Sequence, residues 1–86
     1  MRFFFHVKTD GQTAEDIEGQ DLPSMAAARN EAIVVARELV AMRLMSNDAV
    51  DWDGCIMIAF EDRPAQTISF MEAVGISLPT GQWSGK

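Results

Sequence analysis

His6 is the only histidine and Cys55 the only cysteine among the 86 residues, so nucleophilic or imidazole-based chemistry has to run through one or both. A catalytic thiol needs a base within hydrogen-bond reach and a third group that orients the base. Both residues fall in stretches that read as strands, and their alternation puts both side chains on the outer face of one sheet. No motif surrounds Cys55, and nothing nearby supplies an oxyanion hole. The pair therefore reads as a buried or interface histidine beside an inert cysteine. A small ligand-binding domain or enzyme using His6 with Cys55 is the alternative.

Three other groupings have residue types that could do chemistry. Asp48, Asp51, Asp53 and Gly54 invite a calcium loop, but that alignment puts Ala49 at the first ligand position and Phe60 where a bidentate glutamate belongs. Gly85-Lys86 resembles the end of a phosphate-binding loop. The glycine required earlier is Thr80, however, and no Ser or Thr follows the lysine. Asp16 and Glu18 could act as paired carboxylates, yet beside a turn they read as solubilising charges. No metal and no cofactor are expected.

The elements that position these residues follow from periodicity. Ser24–Ser46 contains no Gly or Pro and is rich in Ala, Leu, Met, Arg and Glu, which predicts one long helix capped by Ser24. At about 100° per residue, Met25, Ala28, Ala32, Val35, Ala36, Leu39 and Val40 share a face. Asn30, Glu31, Arg37 and Glu38 oppose them, with Val34, Ala41 and Met45 among the charges. Arg2–Lys8 alternates as a strand, with Phe3, Phe5 and Val7 on one face and Phe4 and His6 on the other. Asp10-Gly11 predicts a tight turn and a short return strand within residues 13–17. Glu18-Gly19 ends that strand, and Leu22-Pro23 leads into the helix. After Asn47-Asp48, Cys55–Phe60 reads as a strand apolar on both faces. Residues 61–64 read as a turn, and Gln66–Phe70 as a fourth strand with Ile68 and Phe70 inward. A helical turn over Met71–Val74 ends at Gly75.

The order β-β-α-β-β predicts an α+β domain over residues 1–75. Its mostly antiparallel four-stranded sheet has order 2-1-3-4, with the helix on one face. Residues 76–86 read as a loose tail in which Trp83 alone has the apolar area to dock. One helix covers one face, so Phe4 and Met57 are expected on an open apolar surface, which commonly marks an interface. A homodimer is the simplest cover, with Val34 on the helix as a further contact. An unidentified protein partner is the other expectation.

Composition narrows the classes. Apolar residues make up 48% and charged residues 23%, which suits a folded globule. No apolar run nears the roughly 20 residues needed to span a bilayer, so no membrane segment is expected. The single cysteine suits a reducing, cytoplasmic setting. The net charge is −6, and residues 9–22 carry Asp10, Glu15, Asp16, Glu18 and Asp21 without a Lys or Arg. That field repels phosphate backbones and argues against nucleic acid; an acidic partner of a basic protein is the third reading.

Phe3-Phe4-Phe5-His6-Val7, Asp10-Gly11, Asp16-Ile17-Glu18-Gly19, Leu22-Pro23 and Ala27-Ala28-Arg29-Asn30-Glu31-Ala32 together have a familiar order. With Asp53-Gly54, Ile56-x-Ile58 and Ile68-x-Phe70-x-x-Ala73-Val74, the chain resembles, over about Arg2–Val74, a family of small bacterial proteins. That family opens on a Tyr/Phe-Phe-Phe-His strand followed by Asp-x-Glu-Gly and an Ala-rich helix, and is classed as a domain of unknown function. The resemblance implies a fold and a bacterial origin but no activity. It marks His6, Asp16, Glu18 and Gly19 as candidate functional positions.

Overall fold

The computed structural model describes residues 1–61 and 63–75. Its elements in chain order are β1 (Arg2–Thr9), β2 (Gln12–Ala14), β3 (Gln20–Asp21), α1 (Met25–Met45), β4 (Cys55–Phe60), β5 (Arg63–Ser69) and α2 (Phe70–Ala73). The sheet runs β2-β1-β4-β5 with every neighbouring pair antiparallel. This is the predicted 2-1-3-4 arrangement with one addition. β3 also pairs with β1, through Arg2 opposite Asp21 and Phe3 opposite Gln20. The chain therefore does not simply break at Glu18-Gly19; it leaves β1 and rejoins it.

Two boundaries also differ from expectation. Arg63 and Pro64 belong to β5 rather than to the preceding turn, which is possible because β5 is an edge strand and proline's missing N–H costs nothing on an open edge. Phe70 opens α2 instead of closing the strand, and the Ser69 hydroxyl caps that short helix by accepting from Glu72 N–H at 3.0 Å. The tail and the role suggested for Trp83 lie outside the described residues.

α1 begins where a hydroxyl can take up its free donors. Ser24 Oγ accepts from Ala27 N–H at 3.1 Å. The helix ends at Asn47, whose φ of 62° is the left-handed conformation that stops a helix. Ala28, Ala32, Ala36 and Val40 form its buried stripe. Alanine at those positions lets the helix axis come close to the sheet. Beneath them lie Phe3, Ile56, Ile58 and Ile68, all fully buried, with the Phe3 and Phe60 rings 5.2 Å apart. Gly54 enters this core by close approach: a Cβ there would stand 2.6 Å from the Phe70 ring and 3.0 Å from the carbonyl of Lys8. The inner face is thus filled by one helix and one turn of another.

Candidate functional site

The opposite face of the sheet carries the residues singled out from the sequence. Antiparallel register places Phe4 opposite Ala59, His6 opposite Met57 and Lys8 opposite Cys55. Ala59 in turn faces Pro64 on β5. Phe4, His6, Met57, Ala59 and Pro64, with Glu15, Asp16 and Ile17, line an open groove of about 560 Å³. The His6 ring lies nearly parallel to that of Phe4, at an interplanar angle of 10° and a centroid separation of 6.5 Å.

One wall of the groove is the loop between β2 and β3, and Asp16 holds it. After Ala14 the chain leaves the ladder, and the Asp16 carboxylate takes over. Oδ2 accepts from Phe5 N–H at 3.1 Å, while Oδ1 accepts from Glu18 N–H at 3.2 Å and Gly19 N–H at 3.1 Å. Asp16 N–H donates to His6 Nδ1 at 3.0 Å, so a neutral His6 carries its proton on Nε2. Burial pushes the Asp16 carboxyl upward, but the N–H groups of Gly19, Phe5 and Glu18 outweigh it. The net result lies below the ordinary aspartate value. Arg2 pins the far end of the loop, donating to the Glu18 carbonyl at 2.6 Å and to Asp21 at 3.2 Å.

Gly19 closes the loop with φ +73°, and a Cβ there would stand 2.8 Å from Phe4 Cε2 and 3.0 Å from the Phe3 carbonyl. Both the backbone angle and the aromatic contact call for glycine. Asp16, Gly19 and His6 are therefore joined in one arrangement, whereas Glu18 contributes its backbone to it. Cys55 shares the outer face with His6 but stands diagonally across the ladder, opposite Lys8. Such diagonal neighbours are typically about 7–8 Å apart, and His6 Nδ1 is already engaged by Asp16.

The outer face is less open than expected from the sequence. Phe4, Cys55 and Met57 are half-buried and Ala59 is buried. Phe4 owes part of its cover to the chain's own loop, through the contact at Gly19. Val34 is 46% exposed on the far side of α1, so it belongs to a different surface from Phe4 and Met57. The residue overlooked in the sequence is Ile17, which is 85% exposed at the groove's rim. Its sequence signal is an isolated isoleucine between Asp16 and Glu18, where alternation predicts the end of a strand.

Elsewhere, the aspartates considered for calcium serve the backbone. Asp51 accepts from Asp10 N–H at 2.6 Å, Asp53 N–H at 3.1 Å and the Thr9 hydroxyl at 3.4 Å. The Asp10 and Asp53 N–H groups hold its carboxyl below the ordinary value. Arg43 bridges Asp10 and the Ala49 carbonyl, at 2.6 and 2.9 Å. Among the described residues no three His, Cys, Asp or Glu side chains are grouped to hold a metal ion. A second cleft, between the end of α1 and the sheet, is lined by Val7, Leu39, Val40, Val50 and Phe70 among others and measures about 210 Å³. That is below the roughly 300 Å³ at which small-molecule sites begin. No described helix is long and apolar enough to cross a membrane.

No curated protein and no solved structure matches the chain. A family model does match: the one described as Domain of unknown function (DUF6894), over residues 2–62. The match spans β1 through β4 and takes in the Asp16 loop and most of the groove, stopping before β5 and α2. The later part of the resemblance, from Ile68 to Val74, lies beyond it. With most of its length matched, the chain belongs to the DUF6894 family.

Proposed function

We propose that this chain is a non-enzymatic protein-interaction or regulatory module that works as a homodimer joined through the outer face of its sheet. The observation that carries this reading is the groove floored by Phe4, Met57 and Ala59, with Ile17 exposed at its rim. Apolar surface gathered on one face of a small domain is a common mark of association. A twofold assembly needs only one self-complementary patch. The bond from Asp16 N–H to His6 supports a positioning role for the histidine, since its Nδ1 helps hold the groove wall. The free Cys55 supports a reducing, cytoplasmic setting.

Sedimentation equilibrium from roughly 1 to 100 µM tests the reading, because mass action populates even a weak dimer in that range. A concentration-dependent rise to twice the protomer mass is expected. A monomer throughout overturns it.

A further inference from the structure

We infer that the loop from Glu15 to Gly19 is a proton-sensitive wall, fastened to β1 through His6 Nδ1 while the imidazole is neutral and unfastened there when His6 is protonated. The inference goes beyond the homodimer reading and holds for a monomer as well. Among the described residues three hydrogen bonds tie this loop to β1. Arg2 donates to the Glu18 carbonyl at 2.6 Å, Phe5 N–H donates to Asp16 Oδ2 at 3.1 Å, and Asp16 N–H donates to His6 Nδ1 at 3.0 Å.

The third tie differs from the others in kind, because its acceptor is an imidazole nitrogen. A neutral imidazole has one nitrogen that accepts; an imidazolium has none, and both of its nitrogens donate. Imidazole is also the side chain that ordinarily changes charge between about pH 5 and 8. Protonation at Nδ1 therefore takes the acceptor from Asp16 N–H and sets a second N–H against it. The Asp16 carboxylate keeps its own hold through Phe5 N–H. It stays ionised across that interval, since the N–H groups around it hold it below the ordinary aspartate value. One tie is thus lost while two remain, and the backbone at Asp16 moves off β1 without the loop unfolding. Because Glu15, Asp16 and Ile17 line one side of the groove and Met57, Ala59 and Pro64 the other, that movement changes the groove's width.

The groups that face His6 decide what else would respond to pH. On β1, Lys8 and, beyond Phe4, Arg2 share its face. The loop brings Glu15 and Asp16 to the same groove. On β4, Cys55 lies diagonally across, opposite Lys8. β2 contributes Thr13, opposite Lys8, and β5 contributes Thr67 and Pro64, none of which titrates. A change that survives removal of the imidazole would belong to one of these other groups.

Nuclear magnetic resonance on the full chain tests the fastening from about pH 8 to 5. The side-chain nitrogen shifts of His6 report which nitrogen carries the proton. Amide hydrogen exchange, corrected for its intrinsic pH dependence, reports the state of Asp16 N–H. The expected result is a proton on Nε2 alone at the upper end. As His6 then titrates, protection of Asp16 N–H should fall about fivefold or more, as for the loss of one hydrogen bond, while Ile58 N–H in β4 keeps its protection. In His6→Asn, whose amide oxygen can accept but does not titrate, protection of Asp16 N–H should not follow pH. A neutral His6 with its proton on Nδ1, or an Asp16 N–H unprotected at the upper end, overturns the proposal. So does protection that ignores the His6 titration, or the same fall in His6→Asn. The first three outcomes need only the unaltered chain, so the test stands even where His6→Asn fails to fold.

Discussion

The backbone N–H of Phe5 donates to Asp16 Oδ2 at 3.1 Å, so a side chain stands where a neighbouring strand's carbonyl would otherwise accept. β2 pairs with β1 at Val7–Thr9 and β3 pairs with it at Arg2 and Phe3. Asp16 fills the interval between them. One carboxylate thus satisfies the edge of a central strand and shapes the loop that presents Ile17.

Replacing Asp16 tests this directly. In Asp16→Asn one oxygen becomes an amide donor, so either Phe5 N–H or the pair from Glu18 and Gly19 loses its acceptor. The expected cost is about 1–3 kcal/mol, the usual penalty for a poorly satisfied donor at a partly buried site. His6→Ala removes one neutral acceptor, that of Asp16 N–H, together with a half-buried ring, and should cost less, about 0.5–1.5 kcal/mol. Urea unfolding of the three proteins measures both differences, and equal losses would contradict the ordering.

The same carboxylate predicts a pH dependence. The folded state holds Asp16 below its ordinary value, so the stabilisation is complete above about pH 3.9 and is lost as pH falls through the lower folded value. The difference in unfolding free energy between the unaltered chain and Asp16→Asn should therefore be constant near neutrality and shrink in strong acid. A difference that grows on acidification would reverse the assignment.

Gly19 and Gly11 make a matched pair. Both have positive φ, +73° and +76°, but a Cβ on Gly11 meets nothing within 4 Å while one on Gly19 meets Phe4. Gly11→Ala should cost about 1–2 kcal/mol, the left-handed penalty alone. Gly19→Ala should cost more by the displacement of the ring, about 1–3 kcal/mol further on the scale of overpacking. Thermal unfolding compares them, and a Phe4→Leu background should narrow the gap.

At the inner face, Ala32 is fully buried in the α1 stripe. Ala32→Leu forces added volume between helix and sheet and should destabilise by about 1–3 kcal/mol or more. At exposed Ala41, on the other side of the helix, the same change should lie within about 0.5 kcal/mol. Denaturant midpoints for the two variants give the contrast.

Much of the fold was legible because its signals are local. Alternation in Phe3–Val7 and Cys55–Phe60 identified two strands and their inward residues. The Ala28–Ala32–Ala36 spacing identified the helix face, and the capping role of Ser24 needed only its immediate neighbours. β3 was not legible: two residues carry no period, and they form a strand only because β1 offers an unpaired edge. The family resemblance marked His6, Asp16, Glu18 and Gly19 as positions to suspect, but how the folded chain joins them was not legible. The contacts joining them span 10 to 15 residues, from Phe5 and His6 to Asp16 and from Phe4 to Gly19.

Residue order alone determined that this chain makes one long helix, two strong strands and an α+β sheet. Period and capping are properties of neighbouring residues and survive any tertiary arrangement. Only the folded chain decided that an aspartate would act as a piece of sheet, that a glycine would lie against an aromatic ring, and that Ile17 would stand at the rim of a groove. Those outcomes depend on which residues the register brings together across the sheet, and register is set by the burial of the whole inner face at once.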